Sequence, residues 1–337
     1  MLNFDVPRFV KIQSGAVGLA ENIDGLIASA LDKGAENIFF LGTGGAAILM
    51  QPAAHLLARH SRFPVFLDMS AELVLGGSPQ LGEHSIVVIP SLSGTTKESI
   101  EVAELCKARG ALLIALVGHA DTPLTKIADH SLVNFAEDDT SCESFYLQSL
   151  LVALSVMHHR AEYPAYADTV AQIKRLPGLL VEVKRAFEPQ AAAVSDHIAA
   201  SSYHILCGSG ATWPQAFYYG MCILEEMQWI RTRPVHASDF FHGTLELVEP
   251  GVSIILFKGE DVYRPLTERV ENFATSRTDR MLTLDTRVFA LTGISEAVRA
   301  LISPVLLATV LERASAHLEV KRDHPLTTRR YYKRVTY

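Results

Sequence analysis

Ser85-Ile86-Val87-Val88-Ile89-Pro90-Ser91-Leu92-Ser93-Gly94-Thr95-Thr96-Lys97 is the stretch whose reading decides the fold. Its first five residues, Ser85–Ile89, form an almost unbroken apolar run that reads as a strand. A strand with one solvated face would alternate, so an unbroken run points to a sheet covered on both faces. Hydroxyl side chains crowd around one glycine next, and Lys97 to Arg109 then reads as helix. Strand, tight turn and helix in that order form the repeating unit of a parallel α/β sheet.

The same grammar extends outward. Upstream, Asn37–Gly42 is an apolar run that stops at Gly42-Thr43-Gly44-Gly45, and Ala46 to Arg59 is predicted helical with a kink at Pro52. Further strands are predicted at Val65–Leu67, Leu112–Val117 and Ser131–Phe135. Residues 143–200 read as helices, with breaks expected at Pro177 and Pro189. The pattern then restarts: His204-Ile205-Leu206-Cys207 runs into Gly208-Ser209-Gly210, offset by 166 residues from the first glycine turn. A helix over Gln215–Ile230, a strand over Val252–Phe257, a strand holding Thr283 and Leu284, and a helix over 294–318 complete the expectation. An internal duplication of one α/β unit is the economical reading. It divides the chain into 1–165, a helical linker at 166–195, and 196–337.

At 337 residues, two domains are the natural division. The net charge of −7 and pI near 6.0 speak against non-specific nucleic-acid binding, which needs a basic face. They leave anion binding open, because backbone N–H groups can supply it. The four cysteines form no CxxC pair and no zinc-finger spacing, so a reduced, cytoplasmic setting and no metal are expected. The N-terminus has no signal-peptide pattern, and no apolar run approaches the ~20 residues needed to span a bilayer.

Two loops are candidate ligand sites. Ser91, Ser93, Thr95 and Thr96 surround Gly94 between a buried strand and a helix N-terminus, where unpaired N–H groups favour an anion. A plain N-cap would need only one such hydroxyl, so four suggest a phosphate cradle. The turn Gly42-Thr43-Gly44-Gly45 is less specific. Ala47 fits a relaxed dinucleotide fingerprint and Asp68 lies 26 residues beyond Gly42, so a nucleotide turn and a simple packing point both stay open.

On these residues the chain resembles the sugar-isomerase (SIS) family. Its mark is a strand followed by Ser-x-Ser-Gly-x-Thr, matched here by Ser91 to Thr96. The resemblance implies two tandem SIS domains, each a flavodoxin-like, doubly wound parallel sheet flanked by helices. It implies that Ser91, Ser93 and Thr96 hold a sugar phosphate, and that Gly42, Thr43, Gly44 and Gly45 lie over the sugar. The tandem also looks like the isomerase half of glucosamine-6-phosphate synthase, whose helical glutamate and later histidine correspond to Glu226 and, sixteen residues on, His242. Two departures separate the chain from that synthase. The lysine before the glutamate is Ile223, and the lysine after the C-terminal aspartate aligns with Arg330. Arginine does not readily form a Schiff base.

The stretch Asp323-His324-Pro325-Leu326-Thr327-Thr328-Arg329-Arg330-Tyr331 is most similar to the fructosamine-6-phosphate deglycases. That similarity implies a hydrolase-like enzyme acting on a phosphorylated sugar-amine, with Glu226 and His242 as acid–base pair and no cofactor. The tail, with Arg330, would contact the substrate. A homodimer is implied, with the histidine reaching its site from the neighbouring subunit. Other readings keep the same phosphate loop: an aldose–ketose isomerase, a deaminase of amino-sugar phosphates, or a non-catalytic sugar-phosphate sensor. A sensor would not need the Glu226/His242 pair. The short basic tail is not read as a nucleic-acid patch.

Overall fold

The computed structural model describes residues 1–136, 141–332 and 334–336. They fall into two compact units, Val6–Gly178 and Leu179–Tyr337, and Met1–Asp5 belongs to the second.

The first unit opens with two helices that the strand pattern does not announce, α1 (Val6–Gly18) and α2 (Ala20–Asp32). The alternation follows as β1 (Asn37–Gly42), α3 (Gly44–His60), β2 (Val65–Met69), α4 (Ser70–Gly76), β3 (Ser85–Ser91) and α5 (Lys97–Ala108). It continues through β4 (Leu112–Val117), α6 (Pro123–Ile127), β5 (His130–Val133), α7 (Ser141–His159) and α8 (Tyr166–Ile173). The five strands are all parallel, in the order β2-β1-β3-β4-β5. This is the flavodoxin-like winding that the family resemblance implies. Every residue of β1 and β3 is buried, which is why neither alternates. Phe39 stacks on Phe66 at 4.5 Å between ring centroids, tying β1 to β2 within the core. Just past helix α5, Gly110 has a φ of +79° that lets the chain turn while its N–H donates to the Lys107 carbonyl.

Helix α9 (Leu176–Ala199) leads into β6 (Tyr203–Gly208), α10 (Trp213–Tyr218), β7 (Arg231–His236), β8 (Ser253–Lys258), α11 (Arg264–Ala274), β9 (Met281–Asp285) and α12 (Glu296–Arg322). The second sheet is also parallel, in the order β7-β6-β8-β9. It repeats the winding of the first sheet, less one strand. In this unit Arg313 is fully buried and donates to Glu188 and to the Leu2 carbonyl, and Lys184, also buried, pairs with Glu312. Burial would raise the Glu188 carboxyl, but hydrogen bonds from Arg313, the Leu2 N–H and His317 outweigh it and hold it down at about 2.

Three expectations are corrected and one is met. Helix α3 starts at Gly44, ahead of the expected Ala46, and runs through Pro52. The break expected at Pro177 is present: α8 ends at Ile173 and α9 starts at Leu176, with Pro177 in its first turn, where a missing N–H is tolerated. Helix α9 continues through Pro189, where a break is expected. The single helix expected over Gln215–Ile230 is instead α10, then a π-helical stretch from Tyr219 to Glu225, then a turn. After it comes β7, which the pattern misses. Arg231-Thr232-Arg233-Pro234 carries charge and a proline, both tolerable because β7 lies at the sheet edge.

Candidate active site

In the first unit β1 pairs with β2 on one side and with β3 on the other. The chain therefore leaves the carboxyl ends of β1 and β3 in opposite directions, which opens the crevice where ligands bind in such sheets. Both candidate loops flank that crevice. Thr43 caps α3 in extended conformation (φ −141°, ψ 143°) yet makes no capping hydrogen bond through its side chain. Its Oγ1 is buried and has no hydrogen-bond partner among the described residues. A buried hydroxyl without a partner is costly, and a ligand oxygen would satisfy it.

The second loop is built from its own hydroxyls. Ser91 Oγ accepts from the Gly94 N–H at 3.1 Å and lies 3.4 Å from Thr96 Oγ1. Ser93 Oγ accepts from the Thr95 N–H at 3.3 Å and from the Thr95 hydroxyl at 2.9 Å. Gly94 has a φ of +62°, and a Cβ there would overlap the Thr122 side chain. The Gly94 carbonyl accepts from the Leu124 N–H at 3.1 Å, so the loop is pinned from behind by α6. Thr96 precedes α5 without capping it through its side chain. The first-turn N–H groups of α5 are thus left for a ligand, and the plain-cap explanation of the hydroxyls does not hold for Thr96.

The equivalent crevice of the second unit, at the ends of β6 and β8, is filled by the protein itself. Asp261 Oδ2 accepts from the Ala211 N–H at 2.8 Å and Oδ1 from the Tyr263 N–H at 3.0 Å. Ser209 Oγ donates to the Tyr263 carbonyl at 2.9 Å, and Thr212 Oγ1 lies within hydrogen-bond reach of the carbonyls of Ser209 and Phe257. Gly210 is required because a Cβ would overlap the Asp261 carboxylate. Burial pushes the Asp261 carboxyl above its ordinary range, partly offset by its two N–H donors.

Glu226 and Arg330 also lie in the second unit. They line a cleft of about 730 Å³ with Glu225, Trp229, Arg231 and Arg329. Glu226 follows the π-helical stretch, and its Oε1 pairs with Arg329 Nε at 2.9 Å. Arg330 does not pair with Glu226; its guanidinium lies over the Trp229 ring at 4.1 Å. Trp229 itself has a φ of +55° and meets the His324 ring edge-on at 4.5 Å. The tail is fastened beneath by Gln228 Nε2 donating to the His324 carbonyl at 2.7 Å. His242 is exposed, on a 3-10 turn after β7, and is not among the residues lining the cleft. His236 ends β7 with its ring edge-on to Trp213. Lys333 of the basic tail lies outside the described residues.

Sequence reasoning singles out the hydroxyl loop, the glycine turn and Glu226 as candidates. It misses the contact that Arg329 makes. Two adjacent arginines in an aperiodic tail look alike in sequence, and backbone direction decides which one turns toward Glu226. It also misses Asp261, since an aspartate shortly before a helix reads as an ordinary cap. Among the described residues no group of three or more His, Cys, Asp or Glu is placed to hold a metal ion, and no helix is long and apolar enough to cross a membrane.

Comparison with known proteins places this geometry among relatives. Residues 33–158 match the family model described as the SIS domain. It is 28% identical over 310 residues to fructosamine deglycase FrlB of Bacillus subtilis, an alignment covering 90% of this chain and 94% of that protein. It is 28% identical over 327 residues to the fructoselysine 6-phosphate deglycase of Escherichia coli O157:H7, covering 97% and 93% respectively. A crystal structure of a phosphosugar-isomerase candidate from Salmonella typhimurium LT2 superposes with a TM-score of 0.88 at 28% identity, over 94% of this chain and 99% of that one.

Proposed function

We propose that this SIS-domain chain is a fructosamine-6-phosphate deglycase, which splits a 6-phosphorylated Amadori compound into glucose 6-phosphate and a free amine. The observation that carries the reading is the open hydroxyl cradle of the first unit. It stands in a chain whose relatives over nine tenths of its length are deglycases. Ser91, Ser93, Thr95, Thr96 and the first-turn N–H groups of α5 take the phosphate, which needs donors rather than net charge. Thr43, with Gly42, Gly44 and Gly45, faces the sugar. The second parallel unit acts as a second SIS domain.

Bond-making falls to Glu226 and His242. His242 passes the ring hydroxyl proton and opens the sugar, giving a ketone at carbon 2 beside the amine-bearing carbon 1. Glu226 removes a proton from carbon 1 while the carbon 2 oxygen gains one, giving an enaminol. Reprotonation at carbon 2 leaves an iminium at carbon 1. Water adds there, the carbon–nitrogen bond breaks, and the amine leaves with the proton. Atoms and electrons balance with water alone, so the scheme uses no metal or organic cofactor. Because His242 lies outside the Glu226 cleft, the reading makes the enzyme a homodimer in which each histidine serves its neighbour's site. A cytoplasmic setting fits four cysteines that are buried as thiols.

The test couples product to glucose-6-phosphate dehydrogenase, with 6-phosphofructose-lysine and 6-phosphofructose-aspartate as substrates. NADPH is expected from one or both, and Glu226→Gln is expected to lower kcat by about 10³-fold or more. Mixing inactive Glu226→Gln and His242→Asn proteins under subunit exchange should restore about a quarter of the activity if the sites are shared. No NADPH with either adduct, alongside turnover of fructose 6-phosphate or glucosamine 6-phosphate, would move the chemistry to an isomerase or deaminase.

A further inference from the structure

Glu225 and Glu226 are adjacent at the end of the π-helical stretch, and successive residues of a helix point about 100° apart. Only one of them can take a given direction, and the register of the helix decides which. An α-helix bonds each N–H to the carbonyl four residues back. Here the Glu226 N–H donates to the Met221 carbonyl at 3.1 Å and the Gln228 N–H to the Ile223 carbonyl at 3.1 Å, each one residue further back. Such a turn holds an extra residue, so Glu226 takes the direction that an unbroken continuation of α10 would give to Glu225. Turns of this kind are rare and recur at functional sites.

Two contacts with the edge strand β7 hold the register. Gly220 lies so close to the strand that a Cβ would come within 2.9 Å of Pro234 Cγ and of Thr232 Oγ1. Glu225 Oε1 accepts from the Thr232 N–H at 3.2 Å and from the Thr232 hydroxyl at 2.6 Å. An edge strand carries N–H groups without a ladder partner, and Glu225 takes one of them. With Glu225 fixed on β7, Glu226 turns toward Arg329, whose Nε it meets at 2.9 Å. The Glu225–Thr232 contact lies at the surface, where it adds little to unfolding stability, so its effect belongs to the direction of Glu226.

We propose that Glu225 is a positioning residue: its bond to Thr232 locks the π-helical register and so aims Glu226 at the carbon from which it takes a proton. The inference rests on the deglycase reading, with Glu226 as base, and adds to it the device that selects one of two neighbouring carboxylates.

The test measures kcat and KM for 6-phosphofructose-lysine and 6-phosphofructose-aspartate by glucose 6-phosphate release. Glu225→Ala should lower kcat by about 10- to 100-fold with KM within about twofold, because a base misplaced by about an ångström loses that much. Glu225→Gln keeps an oxygen for both Thr232 donors and should retain about half of kcat or more. Thr232→Val removes the hydroxyl, keeps the N–H and the branched shape, and should fall between the two, which guards against an alanine variant that misfolds. Glu225→Ala combined with Thr232→Val should be no slower than Glu225→Ala, since both residues act through one contact. A kcat within about twofold of the unaltered enzyme in both Glu225→Ala and Thr232→Val assigns the contact a structural role and overturns the inference. A raised KM at unchanged kcat, an equal loss in Glu225→Gln, or additive losses in the double variant overturn it as well. Each of these leaves the deglycase reading standing. No glucose 6-phosphate from either adduct with the unaltered protein overturns the deglycase reading and the inference with it.

Discussion

The two sheets wind alike, β2-β1-β3 in one and β7-β6-β8 in the other, yet their switch points end differently. At the first, a glycine turn and a hydroxyl loop leave Thr43 Oγ1 buried and unsatisfied. At the second, Asp261 accepts the very kind of backbone N–H that a phosphate would take, from Ala211 and Tyr263. One strand order therefore yields an open, hydroxyl-lined crevice in one place and a crevice occupied by the protein's own carboxylate in the other. The difference shows that topology creates the crevice and side chains decide whether a ligand can enter.

That contrast can be attacked by substitution. The largest effect should come from Gly94→Val, which places a branched side chain at a φ of +62° and into Thr122. With the cradle displaced, kcat/KM for a 6-phosphorylated adduct should fall by about 10³-fold, measured by glucose 6-phosphate release. A phosphate site elsewhere would leave the rate near normal. Asp261→Ala should do the opposite. It strips the N–H groups of Ala211 and Tyr263 of their acceptor and should lower unfolding stability by about 1–3 kcal/mol in a denaturant titration, with KM unchanged. A raised KM would mean that the second switch point also meets substrate.

A matched pair sharpens the comparison at smaller scale. Thr43→Val removes a hydroxyl with no protein partner, so stability should hold or rise slightly while KM increases about tenfold. Thr212→Val removes a hydroxyl within reach of two backbone carbonyls, so stability should drop by about 1 kcal/mol with KM unmoved. The smallest effect is a pH dependence. The folded-state pKa of Asp261 is raised above its unfolded value of 3.8, so the folded protein takes up this proton first as pH falls. Its contribution then grows on acidification toward 3.8, and the stability gap between the unaltered protein and Asp261→Ala should widen over that interval. A gap that narrows on acidification would show that the carboxyl is held below its ordinary range.

Legibility from sequence followed the reach of each interaction. The buried strands β1, β3, β4 and β8 announced themselves because burial on both faces forces a continuous apolar run. The edge strand β7 did not, since Arg231, Thr232, Arg233 and Pro234 need only one hydrogen-bonded neighbour. The hydroxyl loop was readable because its logic spans six residues. Pro177 marked a real helix boundary, whereas Pro189 misled, because a proline's effect depends on where in a helix it falls and on what packs around it.

By itself, then, the sequence determined the alternation of strand and helix, the repeat of the unit, and the residue types at the first cradle. Those features rest on periodicity and on turn chemistry acting within a few positions. Only the tertiary structure decided which switch point stays open and which arginine holds Glu226. Both outcomes depend on loops brought side by side by parallel pairing, or on a tail laid against a distant helix end. A polar group's partner in such a place is chosen by proximity in space rather than by spacing along the chain.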